Sequence, residues 1–336
     1  MRNFKKTARA VLALLLCVLV LYAGYTAPYF YGTAYYYQDA SARSALRGSL
    51  NLLVSGSSHA FRAFIPEQLD RTLGTESYNL ACSMQTMEGR YRLLRKELER
   101  NPVQTVVIEL SYNALTRSRA AEGPEGDLYQ LGRYANPLDR WAYFFTAFSP
   151  SEYGEVYHDT LTRSTEAWKK LLTGEMGLQS VRGYLGLDPV DQRLPENERA
   201  AHFHTQSLSV TQDPESVFYF ERSMELCAAK DVRVILVTTP MPTRTLLEFD
   251  GLETVRGWYA AYAERYGCEF YDFNLLKTAD YPDETAFFDA SHLSRSGAEA
   301  FTADFCTIVQ QAARGEDVSA RFYPDYDRLL QALLQP

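Results

Sequence analysis

The sequence predicts a three-layer α/β sandwich in which five parallel strands lie between two layers of helix. Three observations carry that reading. Five short runs rich in β-branched and apolar residues recur along the chain, and segments with helical periodicity separate them. Several of the runs are apolar almost throughout, as strands covered on both faces must be. Strand–helix–strand alternation joins its strands by crossovers, which makes the sheet parallel. An apolar N-terminal segment and one long insertion complete the plan.

The N-terminal segment comes first. Arg2, Lys5, Lys6 and Arg9 precede "AVLALLLCVLVLYAGYTA", Ala10 to Ala27, which carries no charge. As a helix it would reach roughly 27 Å, close to the thickness of a bilayer's hydrocarbon core. Basic residues on its N-terminal side place residues 1–9 in the cytoplasm as a short tail. Residues 10–28 are then a single transmembrane segment of the cell membrane, and the remainder is extracytoplasmic. Tyr22, Tyr25, Tyr29 and Tyr31 cluster at the exit, as interfacial aromatics do. A cleaved signal peptide is the competing reading, but no A-x-A site follows the run, which favours an uncleaved signal anchor.

After a juxtamembrane linker at 29–47 the alternation begins. The strand runs are "LNLLV" (50–54), "SYNLA" (77–81), "QTVVIEL" (104–110), "VRVILVTT" (232–239) and "CEFYDF" (268–273). Residues 87–101, 214–231 and 252–267 show helical spacing, the last ending at Gly267, a natural C-terminal stop. These elements assign 48–113 and 214–315 to one domain. Residues 114–213 break the pattern with turn signals and aromatic clusters, and read as an insertion after the third strand, folded as a cap over the carboxyl edge of the sheet. Its aromatic cluster, Trp141, Tyr143, Phe144 and Phe145, is expected in the cap's own core. Residues 316–336 form a C-terminal helical tail.

Composition narrows the function. Net charge is −8 and residues 1–9 carry +4, which leaves −12 on the rest. So acidic a body is a poor footprint for nucleic acid. Cys82, Cys227, Cys268 and Cys306 are scattered singly, without metal-ligand spacing, and are either buried thiols or partly paired as a disulfide. There is no glycine-rich phosphate loop, and neither a metal nor a cofactor is expected.

Working residues of a parallel sheet lie beyond the carboxyl ends of its strands. There the first strand run leads into Gly56-Ser57-Ser58-His59, either a plain turn or a presented nucleophile. In "FFDASHLSRSGAEAF" (287–301), Asp289 and His292 precede a probable helix for which Ser296 and Glu299 make a capping box. A tight loop can aim both side chains at one place. Asp289 would then fix the imidazole's tautomer and leave the other ring nitrogen to take a hydroxyl proton. Of five histidines, His158, His202 and His204 lie in the insertion and His59 adjoins the serines. Asn113 follows the third strand, as a turn residue or as an amide donor to an oxyanion.

Taken in order, these blocks resemble the SGNH/GDSL hydrolase superfamily, whose fold is the flavodoxin-like form of this sandwich. Gly56-Ser57-Ser58-His59 matches the first block, which places Ser58 at the nucleophile position and Ser57 where the family often has Asp. "NLACSMQT" (79–86) is similar to the second, with Met84 at the usual glycine. Ser111-Tyr112-Asn113 matches the third, and Asp289-Ala290-Ser291-His292, with Gly297 downstream, the fourth. The resemblance implies a triad of Ser58, His292 and Asp289, and an oxyanion site from the N–H groups of Ser58 and Met84 with the amide of Asn113. Ser57 and His59 would line the pocket, His59 touching pocket or cap rather than acting as base. The "GSS" form and the membrane helix are similar to the branch containing DltD and proteins that work beside membrane-bound O-acyltransferases. That likeness implies an anchored acyltransferase or esterase acting on acylated envelope glycans or lipid-linked substrates. The alternative is a non-catalytic partner subunit of a membrane-bound O-acyltransferase.

Overall fold

A computed structural model describes residues 2–27, 35–117, 119, 123–174, 180–189, 210–278 and 281–334. Five strands form one parallel sheet in the order β2-β1-β3-β4-β5: β1 Leu52–Ser55, β2 Ser77–Asn79, β3 Thr105–Glu109, β4 Arg233–Thr238 and β5 Glu269–Asp272. Each overlaps one of the five apolar runs. The helices are α1 Arg2–Ala27, α2 Tyr35–Ala45, α3 Ser58–Ala63, α4 Pro66–Leu73, α5 Met87–Arg100, α6 Glu125–Leu131 and α7 Pro137–Ala147. They continue with α8 Tyr153–Thr173, α9 Pro214–Ala229, α10 Thr243–Glu248, α11 Leu252–Tyr266, α12 Asp283–Ala286, α13 Arg295–Ala313 and α14 Tyr326–Leu333.

Alternate strand residues feed two separate cores. Leu53, Val106, Ile108 and Leu236 pack with α5, α9 and α11. Leu52, Val54, Val107, Ile235 and Val237 face the other way, against α3, α4 and α13. Burying one such side chain fully is worth about 1.5–3 kcal/mol, so continuous apolar runs are what a sheet covered on both faces selects.

Helix ends follow local chemistry. The side chains of Thr86 and Asp213 cap α5 and α9 by accepting from Gly89 N and Ser216 N. Gly267 ends α11 at φ 61°, a left-handed position suited to glycine. One expectation is corrected: α13 is capped by Ser294, whose Oγ accepts from Gly297 N, and Ser296 already lies inside the helix. Ser296 Oγ instead donates to the Thr285 carbonyl at 2.8 Å, which fixes the loop ahead of the helix.

The insertion supplies α6, α7 and α8, and its buried Leu128, Leu131, Tyr134, Tyr143, Phe148 and Val156 extend the α5/α9 core. Farther along, Arg182 O accepts from Asn79 N at 3.0 Å, which satisfies an outward group of the edge strand β2. The expected aromatic core is half correct. Tyr143 is buried and Phe144 partly so, but Trp141 and Phe145 are exposed. Part of the expected linker is also ordered: Asp39 and Arg43 of α2 are buried. The five cysteines are free, which settles the open choice in favour of thiols. α1 includes a stretch, Lys5–Ala27, long and apolar enough to cross a membrane.

Candidate active site

The turn that carries Ser58 is built by close approach. β1 runs through Gly56 into α3, which starts at Ser58. A Cβ on Gly56 would lie 2.4 Å from Ala60 Cβ and 2.7 Å from Glu109 Oε2, so a larger residue would force the turn open. Asn79 Nδ2 ties the far end of α3 to the sheet, donating to the carbonyls of Ala60 at 2.9 Å and Phe64 at 3.2 Å.

A second short loop carries Asp289 and His292. Phe288 N donates to His292 O and Ser294 N to Ala286 O, both at 2.9 Å, closing the loop on itself. Gly297 lets α13 seat against it, because a Cβ there would fall 2.0 Å from the Ala286 carbonyl oxygen. Asp289 Oδ1 accepts from the N–H groups of Ser291 and His292, each at 2.9 Å. Both carboxylate oxygens stand 2.8 Å from His292 Nδ1. A carboxylate can only accept, so Nδ1 carries the proton and Nε2 is left with its lone pair. His292 Nε2 lies 2.7 Å from Ser58 Oγ. Burial pushes the Asp289 carboxyl up, but the hydrogen bond and charge of His292 and the two backbone N–H groups outweigh it and bring it down to about 2. It is therefore ionised at neutral pH.

His59 packs against His292 and does not face Ser58 Oγ. It is 7 % exposed, and its Nδ1 donates to the Ser291 carbonyl at 2.9 Å rather than meeting the insertion. Its ring stacks on His292 with centroids 4.7 Å apart and meets Tyr112 edge-on at 5.9 Å. Burial first, then the positive charge of a protonated His292, holds His59 well below the ordinary imidazole range. It is a neutral ring backing His292. Of the other histidines, His158 is exposed on α8, and His202 and His204 lie outside the described residues.

Ser57, Met84 and Asn113 line one cleft together with Arg117 and Arg119 of the insertion. Met84 adopts φ 49°, the left-handed conformation that a glycine would take there without strain. Gly126 of α6 presses on this residue: a Cβ at 126 would sit 2.1 Å from the Met84 carbonyl oxygen. Asn113 is held between two partners. Its Oδ1 accepts from Arg117 Nε and Nη2 at 2.8 and 3.0 Å, and its Nδ2 donates to Ser111 Oγ at 3.0 Å, which leaves the second amide hydrogen for a ligand. Tyr259 OH donates to the Ser111 carbonyl at 2.6 Å and steadies the segment from beneath.

Four contributors escaped the sequence reading. Glu109 is fully buried, and its Oε2 accepts from Ser57 N at 3.0 Å and Ser57 Oγ at 3.3 Å. Arg90 Nη1 donates to the Glu109 carbonyl at 2.8 Å. The signal for Glu109 was a lone acid inside "VVIEL"; for Arg90, Arg117 and Gly126 no local pattern marks the role.

No family model and no curated protein matches the chain. Solved structures similar to it include a candidate acylhydrolase from Bacteroides fragilis, 12 % identical over 82 % of this chain and 94 % of that one, with a TM-score of 0.41. A GDSL-like lipase from Bacteroides thetaiotaomicron is 12 % identical over 82 % and 98 % of the two chains, with a TM-score of 0.41. A candidate SGNH hydrolase from Slackia heliotrinireducens is 11 % identical over 78 % and 100 %, with a TM-score of 0.39.

Proposed function

We propose that this chain is an SGNH-type serine hydrolase or acyltransferase, anchored in the membrane by α1, that moves an acyl group through Ser58. The observation that carries the reading is the line Asp289–His292–Ser58, with contacts of 2.8 and 2.7 Å. His292 Nε2 takes the Oγ proton as Oγ bonds to the acyl carbon. The carbonyl electrons move onto oxygen, where the N–H groups of Ser58 and Met84 and the Asn113 amide donate to it. Collapse expels the alkoxide, which His292 protonates, leaving an ester on Ser58. Asp289, already ionised, steadies the imidazolium in between.

Water or a second hydroxyl then attacks the ester by the same steps in reverse. Transfer gains over hydrolysis where water is kept out, and Arg117, Arg119 and Gly126 place the insertion at the cleft's margin. The membrane-length helix and the likeness of the sequence blocks to the branch containing DltD support acyl groups of envelope glycans or lipid-linked carriers as substrate, with a membrane-bound O-acyltransferase as partner. The test is turnover of a short acyl ester by the detergent-solubilised full chain, with and without a sugar acceptor. Turnover that vanishes in Ser58→Ala supports the reading. Equal turnover in both proteins removes it.

A further inference from the structure

The exposed aromatic face of the insertion is continuous with α1. On α7, Leu138, Trp141 and Phe145 fall on one stripe and are 77 %, 52 % and 61 % exposed. Trp141 and Phe145 stack with centroids 5.8 Å apart, and Phe145 meets Tyr153, at the start of α8, at 6.3 Å. One turn on, Tyr157 stacks on Tyr22 of α1 at 5.6 Å. Farther along α8, Thr165 Oγ1 hydrogen-bonds Tyr25 OH at 2.5 Å, and Trp168 Nε1 donates to the Tyr25 carbonyl at 2.8 Å. Positions 153, 157, 161, 165, 168 and 172 share one face of α8 by helical spacing. That face runs from the α7 aromatics, across α1, to Leu172, which is 81 % exposed.

Exposed apolar side chains at both ends of this face, with α1 packed across its middle, mark an interaction surface. The position of α1 identifies the occupant. The contacts with α8 involve Tyr22 and Tyr25, near the C-terminal end of the stretch long and apolar enough to cross a membrane. If Lys5–Ala27 spans the bilayer, that end lies at headgroup depth, and so does a helix packed across it. Trp and Tyr, with an apolar body and a polar tip, partition to that depth. We propose that α7 and α8 lie on the bilayer surface where α1 emerges, with Leu138, Trp141 and Phe145 at the headgroup–acyl boundary. The insertion is then a second membrane contact, non-covalent and lateral to α1.

The experiment uses full-length chain reconstituted into phosphatidylcholine vesicles whose acyl chains are brominated near the headgroup. Trp258 is first replaced by Phe, leaving Trp141 and Trp168, and the same chain is then made with Trp141→Phe. The quenchable tryptophan emission is expected to fall by roughly half when Trp141 is removed, since both rings would sit at the interface. The same quenchable emission with and without Trp141 overturns the proposal, and so does a chain that fails to float with the vesicles. A Leu138→Asp/Phe145→Asp chain, which keeps Trp141 in place, should show less Trp141 quenching. Unchanged quenching there also counts against it, because a face pulled from lipid must change its exposure to bromine.

Discussion

Apart from Glu109 and its neighbour Arg90, the strands under the candidate active site bury hydrocarbon: Leu53, Val54, Val106, Val107, Leu236 and Val237. The insertion buries charge. Arg133, which follows α6, is 0 % exposed, pairs with Asp39 of α2, and donates through Nη2 to the Asn79 carbonyl at 2.8 Å. Arg119 bridges Asp127 and Glu152, and Tyr143 OH donates to Asp127 at 2.6 Å. The two regions respond differently to damage. Apolar packing loses stability in proportion to the atoms removed, whereas a buried ion pair that loses one partner leaves a charge with nothing to offset its desolvation. The cleft lies where the regions meet, at Met84 and Gly126, so one can be disturbed through the other.

The largest expected effect separates chemistry from attachment. Ser58→Ala should abolish ester turnover, and His292→Ala should lower kcat by about a thousandfold or more, with the unfolding midpoint little changed. If either variant unfolds the chain, the site is part of the scaffold and the contrast between the regions fails. Next, Asp39→Ala should destabilise the protein by about 3–5 kcal/mol, because Arg133 is left buried without its carboxylate. Adding Arg133→Met should recover much of that loss in denaturant melts of the detergent-solubilised chain. A double variant no more stable than Asp39→Ala would mean the pair is not what attaches the insertion.

The same contrast explains what the sequence made legible. The strands could be read because burial on both faces leaves an apolar run, as in "VRVILVTT". The meeting of Ser58, Asp289 and His292 could be read because the Gly56–His59 turn and the Asp289–His292 loop are short, local patterns. Arg133 and Asp39 look like surface residues by type, and their burial follows from partners distant in the chain. Gly126 carries no signal at all, since its need for a missing Cβ arises only when α6 meets Met84. The choice between pocket and cap for His59 was hidden for a similar reason: the Ser291 carbonyl that accepts its hydrogen bond lies on the loop opposite.

Two smaller effects probe the seam. Gly126→Ala should push the Met84 carbonyl and lower kcat by about a hundredfold with KM nearly unchanged, as a misplaced oxyanion donor does. A rise in KM alone would place Gly126 in binding instead. The smallest effect concerns His59. Its folded form resists protonation while the unfolded residue takes a proton near pH 6.5, so its contribution to stability is lost as pH falls below about 6.5. His59→Phe should flatten the decline of stability between pH 7 and pH 5, by up to about 1.4 kcal/mol per pH unit. An identical slope in the variant would mean that His59 is protonated in the folded protein.

On the proposed function, Ser58 and not its neighbour is the activated hydroxyl. Ser57 Oγ faces Glu109 Oε2 at 3.3 Å, whereas Ser58 Oγ faces His292 Nε2 at 2.7 Å. A fluorophosphonate reports this directly, because a serine activated by His292 attacks phosphorus as it attacks an acyl carbon and displaces fluoride. Peptide mass spectrometry of the labelled full-length chain should place the adduct on Ser58. Labelling should be absent in Ser58→Ala and sharply reduced in His292→Ala. An adduct on Ser57, or none on the folded chain, would contradict the account.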